Sequence, residues 1–265
     1  MIHYHGTPCG GQRPEVARFL SGRHALIPWV RNEDIGTAAE VCQSFCLDNG
    51  AFSAWKSGKP IKDWKPYFQW VKDWSRHPGF DWAIIPDVID GDELANDKLI
   101  AKWVNWDGWR GENWHCEGVP VWHLHESLER LERLAMGWPR VAIGSSGDWP
   151  TPGTQRWWLR MADVMSAVCD DEGRPRCKLH GLRMLDPAIF TRLPLNSADS
   201  TNAVRNSSNY SRYGQYCPPN AGTRMFISAE RTERHQSSAI WVKPDVQGVL
   251  VFTELETGGV KTPGL

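Results

Sequence analysis

Short apolar runs recur along the chain, and stretches with an apolar residue every three to four positions lie between them. The runs at 2–6 (IHYHG), 24–29 (HALIPW), 44–48 (SFCLD), 80–87 (FDWAIIPD), 119–125 (VPVWHLH), 140–145 (RVAIGS), 177–182 (CKLHGL) and 195–199 (LNSAD) read as strands. Segment 61–76 places Ile61, Trp64, Phe68, Val71 and Trp74 on one helical face. Segments 92–106, 127–136 and 154–168 keep the same rhythm. Ser127 ahead of Glu129 and Glu132 suits a helix start with acids in the first turns. Pro187 suits the first turn of a short helix over 186–192. Segment 30–43 predicts only a short helix. Eight strands alternating with helices predict a (β/α)8 TIM barrel over residues 1–202.

Beyond 202 the rhythm changes. Residues 205–224 are rich in Asn, Ser, Tyr, Arg, Gly and Pro and predict a shaped loop. Residues 228–241 (SAERTERHQSSAIW) predict a helix, and 247–265 holds one apolar run, Val249–Phe252, before a Gly-rich end. The range 203–265 therefore reads as a C-terminal extension packing on the barrel, not as an independent domain.

Composition narrows the function classes. A hydrophobic share of 41% supports a real core, so the chain is not a disordered one. A net charge of −1 excludes a strongly cationic nucleic-acid binder but leaves room for a local basic surface. Such a bias exists between 203 and 243, where Arg205, Arg212, Arg224, Arg231, Arg234 and Lys243 outnumber Glu230 and Glu233. The 7 cysteines are scattered, with no CxxC pair, which points to reduced thiols and a cytoplasmic setting. Met1 leads into His3 and His5 without a signal-peptide pattern, and no apolar run is long enough for a bilayer, so no membrane is expected. Most of the 16 tryptophans fall at helical spacing, which favours core packing over base stacking.

The candidate chemistry lies where strands end. Three apolar runs finish in an aspartate: Asp48, Asp87 and Asp199. Carboxylates there converge on one face of a (β/α)8 barrel, and charging them costs free energy unless something pairs with them. Each is also a plausible cap of the turn or helix that follows. In Asp48-Asn49-Gly50-Ala51-Phe52-Ser53, Gly50 permits an unusual backbone conformation or a close approach by a ligand. Phe52 offers a flat apolar face beside a carboxylate. Asp90 and Asp92 follow Asp87 closely, as a metal site or as helix caps. Asp199 with Arg205 six residues on can pair an anionic nucleophile with a phosphate-binding guanidinium. Other strand ends offer His123 and His125 beside Glu126, the turn Gly144-Ser145-Ser146-Gly147, whose N–H groups suit an anion or a base edge, and His180-Gly181-Leu182-Arg183-Met184.

Taken in order, these motifs resemble the tRNA-guanine transglycosylase superfamily. That family is a (β/α)8 barrel that exchanges guanine for a 7-deazaguanine through a covalent enzyme–ribosyl intermediate. Its Asp-Ser-Gly-Gly-Phe-Gln signature is similar to Asp48–Ser53, with Ser53 in place of the final Gln. The resemblance implies Asp48 as general acid/base and Phe52 as stacking face, with Asn49 beside them at the base. It implies Asp87 as reader of the purine edge. The Gly-Gly-Leu-Ala turn resembles Gly144–Gly147 with only the first Gly kept, and implies base contacts at Gly144 and Ser145. The Leu-Met-Gly-Val-Gly strand resembles Leu179–Arg183, with Met184 next to it as a further base contact. The nucleophile motif Phe-Asp-Cys-Val-Leu-Pro-Thr-Arg shares its Asp-to-Arg spacing with Asp199 and Arg205, which implies Asp199 as nucleophile and Arg205 at a phosphate.

The family's Cys-x-Cys-x-x-Cys zinc pattern is absent, and only Cys217 and His235 fall in its region, too few for a structural zinc site. The chemistry implied needs no cofactor. A length of 265 residues leaves little room for tRNA-binding elaboration. Both departures fit the DpdA-type DNA transglycosylases of phages and bacterial modification islands. The implied partners are DNA and a free 7-deazaguanine base, with an accessory DNA-opening protein as a further candidate. The implied place is the cytoplasm, that of the host if the chain is phage-encoded. Alternative readings are a tRNA-directed enzyme of the same chemistry, a non-catalytic nucleic-acid-binding barrel whose aspartates are caps, and a metal-dependent hydrolase using His3, His5, His123, His125 and an aspartate.

Overall fold

The structure, a computed structural model, describes residues 1–109 and 118–243. Its strands are β1 Ile2–Gly6, β2 His24–Pro28, β3 Ser44–Asp48, β4 Phe80–Ile84, β5 Gly118–Val119, β6 Val121–His123, β7 Arg140–Gly144, β8 Lys178–Gly181 and β9 Ser197–Ser200. They form one sheet in the order β5-β4-β3-β2-β1-β9-β8-β7-β6, and each neighbouring pair in it runs parallel. β5 and β6 are two pieces of one stave, divided at Pro120, which has no N–H for the ladder. β5 pairs with β4 and β6 with β7, so the ring closes through this broken stave into the eight of a (β/α)8 TIM barrel.

Side-chain alternation sorts each strand between lumen and helix layer. Tyr4, Leu26, Cys46, Trp82, Ile84, Val119, Val121 and Ala142 fill the lumen. Their neighbours in sequence, such as Ala25, Ile27, Phe45, Leu47 and Ala83, pack outward against the helices. Val141, Ile143, Leu179 and Ala198 do the same on the other side of the barrel. Trp82, Trp122 and Trp157 are fully buried, whereas Trp55 is 44% exposed.

The helices are α1 Arg13–Leu20, α2 Ile35–Val41, α3 Ala51–Lys56, α4 Lys65–Trp74, α5 Glu93–Val104, α6 Leu128–Gly137, α7 Gln155–Val168, α8 Pro187–Phe190, α9 Asn202–Arg205 and α10 Ala221–Glu233. Asp92, Ser127, Thr154 and Asp186 cap α5, α6, α7 and α8 by accepting first-turn N–H groups. The strand expected over 80–87 stops at Ile84, just ahead of Pro86.

The C-terminal helix departs from the pattern expected for 228–241. α10 starts seven residues earlier, where Asn220 Oδ1 accepts the Thr223 N–H, and it ends at Glu233. Past that point serine hydroxyls take backbone partners instead: Ser237 Oγ donates to the Leu195 carbonyl and Ser238 Oγ to that of Ile240. Trp241 N–H reaches the Gly173 carbonyl at 2.7 Å. Met225 and Ala229 of α10 share the core of Phe19 and Leu20 of α1. Buried Arg23 binds Glu230 at 2.6 Å and Glu233 at 3.0 Å. The described part of the extension thus adds a helix to the barrel's outer layer. The apolar run Val249–Phe252 and the Gly-rich end lie outside the described residues. Among the described residues no helix is long and apolar enough to cross a membrane.

Candidate active site

The lumen-facing parity that seats Cys46 in the barrel brings Asp48 to its mouth, two residues on. The same step on β9 leads from buried Ser197 to Asp199. Both aspartates line one cavity of about 930 Å³, together with Asn49, Phe52, Asp87, His123, Gly144, Ser145, Arg183 and Arg205. Side chains more than a hundred residues apart in sequence therefore meet at the carboxyl ends of the strands.

Asp48 is the perturbed acid of the site. Burial, then the charges of Asp199 and Asp87, push its carboxyl up to about 7. The Gly50 N–H donates to Asp48 Oδ2 at 3.2 Å and partly offsets this. Gly50 itself has φ +76°, and a Cβ there would stand 2.8 Å from Val30. Glycine is required for both reasons: the left-handed turn and the close approach to Val30.

Asp87 hangs beyond the end of β4, tied on both oxygens. Asn49 Nδ2 donates to Oδ1 at 2.8 Å, and His123 Nε2 lies 2.8 Å from Oδ2. Behind His123, Glu126 accepts the His123 N–H and bonds from Asn96 and Arg130, all inside the protein. Asn49 is thus a support for Asp87, 1% exposed, rather than a group presented to a base.

Asp199 Oδ1 accepts the Arg183 N–H at 3.0 Å and faces His180 Nε2 at 3.3 Å. Arg183 holds a left-handed conformation, φ +60°, at the place where the resembled strand has glycine. Its side chain turns back over the cavity, donating to the Ser145 carbonyl at 2.9 Å and covering the Phe52 ring. Burial lowers the Arg183 guanidinium and Asp199 opposes that shift. Cys46 lies beneath the carboxylates; burial and the charges of Asp199, Asp81 and Asp48 hold its thiol well above its ordinary value. It is a packing group, not a nucleophile.

Several expected assignments change. Met184 does not reach the cavity: it is fully buried in the helix-side core, because the chain turns after Gly181. Gly144 and Ser145 do line the cavity, but the Ser145 hydroxyl is taken by Trp157 Nε1 at 2.9 Å. A Cβ on Gly144 would stand 2.9 Å from His123 Nδ1, so close packing explains this glycine. Asp92 caps α5. Cys217 and His235 join no metal-binding group, and among the described residues no cluster of three or more His, Cys, Asp or Glu could hold a metal. His3 and His5 point into the helix layer, where His3 meets the His235 carbonyl and His5 meets Glu233. They cannot join His123 and His125 in one metal site. Arg205 lies at the cavity rim with Arg31 and Lys56, two cations that no motif singles out.

The fold and mouth define a class: a TIM barrel with a buried acidic pocket at its strand ends and cations on its rim. No protein-family model and no curated protein sequence matches the chain. A protein assigned as a fructose-1,6-biphosphate aldolase from Coccidioides immitis superposes with a TM-score of 0.54 at 15% identity, covering 88% of each chain. A mutant tryptophan synthase alpha-subunit from the hyperthermophile Pyrococcus furiosus gives 0.50 at 10% identity, covering 88% of this chain and 98% of that one. At such identities the likeness is one of architecture alone.

Proposed function

We propose that this chain is a base-exchange glycosyltransferase that replaces guanine in DNA with a 7-deazaguanine. One observation carries the reading. Asp48 and Asp199 share a cavity, and Asp48 is held at about 7 by burial and by Asp199 and Asp87. Two neighbouring carboxyls, of which Asp48 has its proton affinity raised, can divide the roles of nucleophile and acid/base.

In the first half-reaction Asp199 bonds to C1′ of the sugar. The C1′–N9 bond breaks, its electron pair leaves with guanine, and Asp48 gives that base a proton. In the second, the incoming 7-deazaguanine loses its N9 proton to Asp48 and N9 bonds to C1′, releasing the Asp199 carboxylate. The target nucleotide must leave the stack for its C1′ to reach a carboxylate as buried as Asp199. Arg31, Lys56 and Arg205 at the rim suit the phosphates on either side. The absence of a Cys-x-Cys-x-x-Cys pattern favours DNA over tRNA within the resembled superfamily.

The test uses DNA without an incoming base. The wild-type chain should form an enzyme–DNA adduct that survives denaturation, and Asp199→Asn should form none. An Asn variant that exchanges base at the wild-type rate would overturn the assignment. Labelled 7-deazaguanine supplied with DNA or with tRNA identifies the polymer.

A further inference from the structure

A polar chain runs from Asp199 down into the barrel. Arg140 Nη1, on β7, donates to Ser197 Oγ at 3.1 Å and to Asn196 Oδ1 at 3.0 Å. Ser197 Oγ, on β9, lies 2.9 Å from His180 Nδ1, on β8. His180 Nε2 then faces Asp199 Oδ1 at 3.3 Å. His180 and Ser197 are fully buried and Arg140 nearly so.

The chain has a direction because its first member can only donate and because, among the contacts described, His180 Nδ1 is the one acceptor for the Ser197 hydroxyl proton. A guanidinium has no acceptor. Ser197 Oγ accepts from it, and its own proton is available for His180 Nδ1. A neutral imidazole whose Nδ1 accepts carries its proton on Nε2. Complete burial disfavours the imidazolium, against the pull of Asp199. Nε2 makes no hydrogen bond of standard geometry, and the polar group it faces is Asp199. The ring packs edge-on against Trp82, 4.7 Å between centroids, and against Tyr4, 6.0 Å, which also contact each other. Such packing opposes a flip to the reverse orientation.

Asp199 Oδ1 is also the acceptor of the Arg183 N–H. Both donors therefore address the same oxygen. We infer that His180 is a positioning residue. It is a neutral Nε2–H donor, its tautomer set by Arg140 through Ser197, and it turns Asp199 so that Oδ2 is the attacking oxygen. The inference rests on Asp199 being the nucleophile of the proposed exchange. As Oδ2 bonds to C1′ and guanine departs with the C1′–N9 electron pair and a proton from Asp48, Oδ1 becomes the carbonyl oxygen of the ester and keeps its donors. A long contact of this kind in the free enzyme tightens on reaching the transition state.

Two measurements test it. Nitrogen NMR of the full chain carrying ¹⁵N-histidine should show His180 protonated on Nε2 and bare on Nδ1 at neutral pH; a proton on Nδ1 overturns the inference. His180→Phe keeps the ring volume and removes the donor. It should slow adduct formation with DNA by about tenfold to a hundredfold while KM for DNA changes less than about twofold. His180→Gln, which keeps an N–H near the same place, should recover part of the loss. A folded Phe variant with the wild-type rate overturns the inference, as does a Gln variant no better than a folded Phe variant. Should the Phe variant fail to fold, the tautomer in the wild-type chain decides. If the wild-type chain forms no adduct, the exchange reading falls by itself, and the NMR result still supports or overturns the donor chain.

Discussion

The guanidinium of Arg183 lies over the ring of Phe52, with Cζ 4.3 Å from the ring centroid. In the proposed reaction Phe52 stacks the purine, and we take the face that Arg183 covers as the one used. A ring cannot enter a gap of that width, so the guanidinium must leave before a base can stack. Its backbone is fixed by the N–H bond to Asp199, but its side chain is held by Phe52 and by the Ser145 carbonyl alone among the contacts described.

Removing the side chain should therefore help the free base to bind. A cation–π contact of about 0.5–2 kcal/mol has to be given up by the wild-type chain. Arg183→Ala should tighten binding of a 7-deazaguanine about three- to tenfold by calorimetry. Phe52→Ala should weaken it. Weaker binding by the Arg183 variant would place the guanidinium in the bound site, against one face of the base.

Asp48 predicts a stability that depends on pH. Its carboxyl, ordinarily near 3.8, is raised to about 7 in the folded chain. The folded state thus holds a proton that the unfolded state has released across that interval, so stability falls as pH rises from about 4 to about 7. Below it both states are protonated; above it the full penalty applies. Asp48→Asn, an uncharged mimic, should gain on the order of 2–4 kcal/mol over the wild type at pH 8 and little at pH 4. Urea unfolding of both proteins at the two pH values checks this. An equal difference at both pH values contradicts a raised Asp48. The same variant should lose exchange, since it has no proton to pass.

The barrel was legible because each stave is a short apolar run and each connection carries helical spacing or a cap. Asp48 and Asp199 were legible for the same reason: a strand whose alternate residues face the lumen points its last acid into the mouth. What escaped depends on register between strands. Nothing local marks Arg140, Ser197 and His180 as neighbours, because β7, β9 and β8 bring them together from three places in the chain. Arg183 was hidden by a backbone conformation that non-glycine residues seldom adopt. Met184 misled because adjacency in sequence is not adjacency in space once the chain has turned at Gly181. The C-terminal helix was misplaced because Asn220, its cap, stands inside a stretch rich in loop-forming residues.

The rim predicts a salt dependence. Arg31, Lys56 and Arg205 border the cavity and come from three different segments. If DNA phosphates lie across them, each contact releases condensed counterions on binding. Replacing any one with alanine should lower the slope of log affinity against log salt by about 0.7–1 and weaken binding evenly across sequences. Fluorescence anisotropy with a labelled oligonucleotide over a salt series measures the slope. A slope unchanged in all three variants would take the polyanion off this rim.

Asn49 separates a supporting role from a reading one. Its Nδ2 donates to Asp87 Oδ1 and to the Ile85 carbonyl, and its Oδ1 accepts the Ala51 N–H that opens α3. All of these bonds lie inside the protein. Asn49→Ala would strip a buried carboxylate oxygen and two backbone groups of their partners at once. Leaving a buried polar group unsatisfied costs about 1–3 kcal/mol, and the three share one side chain, so a loss of about 2–4 kcal/mol in chemical denaturation is expected. Asn49→Asp should be worse, and worse as pH rises through the carboxylate range, because it sets a second negative charge against Asp87. If Asn49 instead met the base directly, the alanine variant would keep wild-type stability and lose only affinity for the purine.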